Sequence, residues 1–267
     1  MSSRRTVLAL AAFLVLASIQ CVSAGFTMTM RIQPLQFHGT TEAKMSVELT
    51  NTGDEIAYNG QASLVFPDEL DSEPLYFDVI KPDKPISKVL NVSLDPQAEP
   101  GVYPLIFMLQ FHDNNNYPIY MIFESAMMVE ERSVSMVFAE MSSAELPTDG
   151  SAKLTLKLKN ADDIPHNVDV RVVVPHSLSL DDDLREVEVE PRSEKEVEYT
   201  VSNFMALPGD FGVLAVIDYV EDGVYKSTLT KGRVVVKKNE SSNSHIILAV
   251  ALSLSVIGAY SYFKLRK

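Results

Sequence analysis

The 267-residue chain contains one cysteine, no tryptophan, and fewer basic than acidic residues, 23 against 36. Each shortage excludes something. Cys21 lies in an N-terminal segment read below as removable, so the mature chain would have no disulfide, no thiolate nucleophile and no cysteine-ligated zinc. Its core alone must hold it together. Part of the basic residues sits at the two ends, which leaves 18 basic against 36 acidic residues between 25 and 245, a balance of −18. That charge argues against nucleic acid or anionic lipid as a ligand and favours solubility. The five histidines, His38, His112, His166, His176 and His245, are scattered, without the spacing of a metal-binding helix. They read as solvated loop residues. With no nucleophile beside a base and no ligand cluster, the expectation is a protein that is not an enzyme and holds no metal or cofactor.

Between residues 25 and 245 there is also no stretch with a helical period. The two ends differ. Arg4 and Arg5 precede an apolar run over 7–19, and Val22 and Ala24 supply the small residues a signal peptidase reads, which predicts a signal peptide at 1–24 cleaved after Ala24. Thirteen apolar residues make only about 20 Å of helix, short of a hydrocarbon core of about 30 Å. A twin-arginine signal is the alternative to ordinary secretion. At the other end, residues 246–263 carry no charge and are followed by Lys264, Arg266 and Lys267. This predicts a transmembrane helix over 246–263, a polar stalk at 238–245, and a basic cytoplasmic tail at 264–267. The topology is then type I, with the part between signal and span outside the cytoplasm.

That part repeats itself at about 109 residues. Residues 43–51 (AKMSVELTN) align with 152–160 (AKLTLKLKN), Asp54 with Asp163, Phe66-Pro67 with Val174-Pro175, Pro82 with Pro191, and Pro100-Gly101 with Pro208-Gly209. Anchors in one order indicate duplication, with copies at 25–130 and 131–237. Within each copy apolar and polar residues alternate, as in Leu154, Leu156 and Leu158 against Lys153, Thr155 and Lys157, which is the period of a strand with one buried face. Strands are predicted at 27–32, 44–51, 61–66, 75–80, 86–94, 101–111 and 117–128, then at 134–140, 152–160, 167–174, 185–190, 195–201, 210–220 and 223–236. Seven short strands in about 105 residues fit an immunoglobulin-like sandwich. The fold expected is all-β: two tandem immunoglobulin-like β-sandwiches plus one C-terminal transmembrane helix. The missing tryptophan and cysteine pair set it apart from antibody domains. Residues 130–133 join the copies without a Gly or Ser tract, which predicts a semi-rigid two-domain rod.

An alternating strand ending in Asn51-Thr52-Gly53-Asp54, a strand ending in Phe66-Pro67, Lys81-Pro82, and Glu99-Pro100-Gly101-Val102-Tyr103 entering a long strand resemble the CARDB-like and S-layer-associated sandwich repeats of archaeal and bacterial cell surfaces. The resemblance covers both copies; the second departs from it where Ala161-Asp162 replaces Thr52-Gly53. It implies a surface scaffold and assigns no ligand. A looser resemblance is to the lumenal sandwich of the α-subunit of the translocon-associated complex, which ends in one membrane helix and lacks the duplication.

Three features could carry binding. The acidic runs 181–183 and 162–163, and the 113–116 turn, offer oxygen ligands of the kind calcium takes, although no EF-hand spacing is present. Asn91 and Asn239 head Asn-x-Ser triplets and are candidate glycosylation sites on exported sequence. The strand after residue 116 is apolar on both faces, so Tyr117, Ile119, Tyr120, Ile122 and Phe123 are the candidate residues for an interdomain or partner contact. The sequence therefore reads as a non-catalytic single-pass membrane protein presenting two sandwiches for protein binding, adhesion or cell-envelope structure. Its alternative is an accessory subunit of a membrane translocation or transport complex, docking through its span, where Ser253, Ser255, Gly258 and Ala259 would permit close helix packing.

Overall fold

The computed structural model describes residues 25–238. The predicted signal peptide, transmembrane helix and tail, Asn239 and most of the predicted stalk lie outside them. Among the described residues the fold is all-β, and no helix is long and apolar enough to cross a membrane.

Nine strands make up the first half: β1 (Met28–Ile32), β2 (Leu35–Phe37), β3 (Glu42–Asn51), β4 (Ala57–Phe66), β5 (Leu70–Ser72), β6 (Leu75–Ile80), β7 (Ile86–Leu94), β8 (Gly101–His112) and β9 (Pro118–Val129). Nine more make up the second: β10 (Val137–Met141), β11 (Ser143–Pro147), β12 (Ser151–Asn160), β13 (His166–Val173), β14 (Leu178–Leu180), β15 (Leu184–Val189), β16 (Glu194–Asn203), β17 (Gly209–Glu221) and β18 (Val224–Lys237). The predicted seven per half is thus corrected to nine. Sheet orders repeat strand for strand. β1-β3-β7-β5 corresponds to β10-β12-β16-β14, and β6-β4-β8-β9-β2 corresponds to β15-β13-β17-β18-β11. Each half is a β-sandwich of immunoglobulin-like type, in which the first strand changes sheets: β1 pairs with β3, and after residues 33–34 the chain continues as β2 alongside β9.

Alternation in the sequence becomes two cores. Met45, Val47 and Leu49 of β3 face Leu105, Phe107, Leu109 and Phe111 of β8, all buried. In the second half Leu154, Leu156 and Leu158 of β12 face Val213, Ala215 and Ile217 of β17. β8 and β17 break the one-face rule, for Ile106, Leu214 and Val216 on their other faces are buried as well. Near-continuous apolar runs are what strands covered on both faces need. Here the cover is the other half of the chain. Ile106 and Phe66 pack against Leu214 and Val216 in a third apolar cluster, flanked by Ile122, Val173 and Leu229.

The halves consequently lie side by side, and the expected rod is not formed. β18 runs parallel to β8, the two meeting at Tyr225 and Gly101, so the end of β8 and the end of β18 point the same way. A linker without a Gly or Ser tract limits flexibility but does not dictate an end-to-end arrangement. The apolar outer faces of β8 and β17 do decide it, because leaving them wet would expose a patch of the kind soluble surfaces avoid.

Candidate functional site

Two hairpins exchange a tyrosine between the halves. Tyr225, just after the β17–β18 turn, leaves its own sandwich and enters the first core, where its ring stacks on Tyr103 with centroids 3.7 Å apart and planes 3° from parallel. The Tyr103 hydroxyl donates to the Glu99 carbonyl four residues upstream, at 2.8 Å, which is the tyrosine corner of immunoglobulin-like folds. Tyr117, at the equivalent turn of the first half, donates its hydroxyl to the Met205 carbonyl of the second. Gly101 makes the seam close. It has φ +152, and a Cβ there would lie 2.2 Å from the Tyr225 carbonyl oxygen. Ser227 Oγ then donates to the Val102 carbonyl at 2.7 Å.

A small acidic pocket of about 170 Å³ lies beside this seam, lined by Asp68, Glu69, Asp169, Arg171, Asp218 and Tyr225 among others. Asp169 and Asp218 are direct cross-strand partners on β13 and β17. One cation faces this group: Arg171 pairs with Asp68 at 2.7 Å and lies over the Phe66 ring. Burial, then the neighbouring charges of Asp169 and Glu69, push the Asp218 carboxyl up to about 7 against the partial relief of Arg171. Glu69 is raised as well, chiefly by burial. The Tyr225 hydroxyl faces this pocket without a hydrogen bond of ordinary geometry, and burial raises its pKa too.

The second cavity-forming feature is a cleft of about 480 Å³ between β9 and residues 205–212, with Phe26 and Met28 at its margin. The five residues singled out as contact candidates line it. Ile119 and Phe123 pack on the first core, Ile122 joins the third cluster, and the Tyr120 ring lies 5.5 Å from that of His176 in the second half. Tyr117 makes the bond to Met205. These side chains are half-buried, and the second half of the same chain supplies part of their cover. Among the described residues no strand lies beside the edge of β9 away from β8 along Pro118–Ala126, since β2 reaches only Met127–Val129.

His166 corrects the sequence reading of the histidines. It is 5% exposed, 3.2 Å from Asp162 through its Nε2, with its ring 4.6 Å from that of Tyr219. Asp162, His166 and Glu221 bring three potential ligand atoms together, yet the Lys226 ammonium is already paired with Glu221 and fills the role of the cation. The acidic runs are likewise engaged. Asp181 accepts the Thr200 amide at 2.9 Å and pairs with Arg185, which also reaches Asp182; Asp163 holds Arg192 at 2.7 Å. Asp113 accepts the amides of Asn115 and Tyr117 in a local turn. Asn91 is exposed on β7, the orientation glycosylation requires, while Asn239 falls outside the described residues.

Sequence reasoning missed Tyr225, Gly101 and Asp218. Nothing in the spacing around residue 225 marks a side chain that crosses to another domain, and the Pro-Gly anchor is shared with Pro208-Gly209, where a Cβ would have 3.9 Å of room.

No family model and no curated protein matches the chain. Among solved structures it is similar to the segment of Escherichia coli alpha-2-macroglobulin from domain MG7 to the C-terminus, at 20% identity and a TM-score of 0.35, over 39% of this chain and 17% of that one. The native conformation of the same Escherichia coli protein matches over 80% of this chain and 17% of that one, at 12% identity and a TM-score of 0.34. A protein of unknown function from Porphyromonas gingivalis W83 is covered to 99%, against 78% of this chain, at 12% identity and a TM-score of 0.28. The chain thus spans about a sixth of the length of the macroglobulins it matches.

Proposed function

We propose that the protein is a non-catalytic, single-pass type I membrane protein that holds two immunoglobulin-like sandwiches outside the cytoplasm as one body, for protein binding, adhesion or cell-envelope structure. The observation carrying this reading is the seam. Tyr225 in the first core, the third apolar cluster and the Gly101 contact spend sequence on fixing the two sandwiches against each other. Catalysis has no need of that, whereas a presented binding surface does, because pre-set geometry lowers the entropic cost of association. Within the acidic runs, Asp162, Asp163 and Asp181 each have a side-chain partner, which supports it. Membrane attachment rests on the uncharged 246–263 segment, export on the 1–24 segment, and Asn91 and Asn239 are the sites at which glycans would be added.

Two measurements test the reading. Protease added to intact cells should shorten the protein to a membrane-bound stub; full resistance would overturn the topology. Affinity isolation of the intact protein beside a version with an unrelated spanning helix should recover the same partners, because the sandwiches carry recognition. Loss of partners on exchanging the helix would favour the accessory-subunit reading instead.

A further inference from the structure

Phe204 is 70% exposed and Leu207 55%, and they lie three residues apart in the loop that joins β16 to β17. The loop is not loose. The Phe204 and Met205 amides both donate to the Ser177 carbonyl, and the Asn203 side chain binds the Ala206 amide and carbonyl at 2.7 and 3.0 Å. A braced loop therefore holds two large apolar side chains in water. The corresponding loop of the first half, residues 95–100 (DPQAEP), has no large apolar residue.

The two loops lie at opposite ends of the body. β8 starts beside the start of β18, whereas β17 starts beside its end, with Gly209 opposite Val236. The apolar loop is thus at the end where the chain leaves the fold, and a short bond path fixes this: Asn203 Nδ2 donates to the Thr148 carbonyl at 2.7 Å, and Thr148 Oγ1 to the Lys237 carbonyl at 3.1 Å. Only residues 239–245 separate the described fold from the uncharged segment at 246, less than about 30 Å even when fully extended. Charges flanking the loop are neutralised in place, Asp210 by Arg233 and Glu145 by Lys237.

We propose that the Phe204–Leu207 loop is a second membrane contact, seated in the interfacial layer of the bilayer that the 246–263 segment crosses. The inference rests on the spanning reading of that segment. Tethering makes it feasible, since a short linker turns a weak surface contact into an intramolecular one, and two apolar side chains seat in the headgroup boundary without needing anionic lipid. An overall charge that repels anionic surfaces is compatible with a contact of this kind.

The chain has no tryptophan, so Phe204→Trp introduces a sole indole reporter into the full-length protein. In vesicles of phosphatidylcholine with brominated acyl chains, the Phe204→Trp variant should lose most of its indole emission, and the remainder should be blue-shifted. Val134→Trp, on a residue 74% exposed in the linker at the far end, should show neither effect. A Phe204→Trp protein that floats with the vesicles while its emission stays unquenched overturns the proposal. If that indole is solvated in these vesicles and blue-shifts only in native membranes, the loop binds a membrane protein and the lipid contact is equally overturned. A protein that does not float with vesicles at all refutes the span, and the loop contact falls with it.

Discussion

Asn51 and Asn160 end β3 and β12, are 0% and 1% exposed, and do the same thing 109 residues apart. Asn160 donates to the carbonyls of Ile164 and Val189 and accepts the Asp162 amide; Asn51 donates to those of Glu55 and Ile80 and accepts the Gly53 amide. Each closes a turn and pins it to a neighbouring strand. Replacing Asn160 by Ala strands buried backbone groups and should lower stability by about 2 kcal/mol, read from urea denaturation midpoints at unchanged m-value. The sequence showed both asparagines as the matched ends of the aligned segments 43–51 and 152–160, and their burial was not visible there. Asp218 acts through pH. Its carboxyl is raised from 3.8 to about 7, so its folded form holds the proton more tightly than the unfolded chain does. The stability this confers is complete below about pH 4 and is lost as pH rises through 7. Asp218→Asn should therefore match the wild type near pH 4 and be the more stable at pH 8, by up to about 4 kcal/mol, in paired thermal melts across that range. A constant difference between the two proteins at all pH values would refute the role. The lowered carboxylates, Asp162, Asp163 and Asp181 among them, act the other way, and their contribution fades only as pH falls toward their own range.

Among the elements, the fourteen strands expected from alternation are all present within three or four residues of their predicted ends. The four that were missed, β2, β5, β11 and β14, are three to five residues long. So short a segment gives the two-residue period no room to declare itself. Their existence follows from pairing: β2 and β11 are the opening strands after they change sheets, and β5 and β14 are edges held by β7 and β16. β8 shows how an element can look repeated and act differently. Gly101 and Gly209 open equivalent strands, but only Gly101 has the Tyr225 backbone against it. Gly101→Ala should cost at least about 2 kcal/mol, through strain at φ +152 and the forced parting of β8 and β18. Gly209→Ala should change stability by no more than about 0.5 kcal/mol. Equal effects in the two variants, measured by thermal unfolding, would show that the seam is not set at Gly101.

For the whole molecule, composition and periodicity made the sandwiches legible, and the doubly apolar run in β9 signalled that something covers its outer face, whereas the same property of β8 and β17 was seen only in the structure. Whether the cover is the other half or a separate partner, the two readings offered for that strand, could not be decided from sequence, since it depends on residues such as Phe66 and Leu214 that lie about 150 positions apart. The same contacts make a prediction about cooperativity. With Tyr225 counted in the first core and a third cluster shared by both sandwiches, neither half can unfold without exposing apolar surface of the other. The described body should melt in one transition, its calorimetric and van't Hoff enthalpies agreeing, whereas a two-domain rod would melt in two. Tyr225→Ala removes a ring that stacks on Tyr103 and leaves a cavity in a core to which its own sandwich does not belong, a loss of about 3–5 kcal/mol on the scale of buried aromatic truncations. Because that loss falls on the coupling, the variant should show two separated transitions, with the first sandwich melting at the lower temperature. A single transition merely displaced downward would mean that the third cluster alone is enough to join the halves, and Phe66→Ala added to Tyr225→Ala should then divide them.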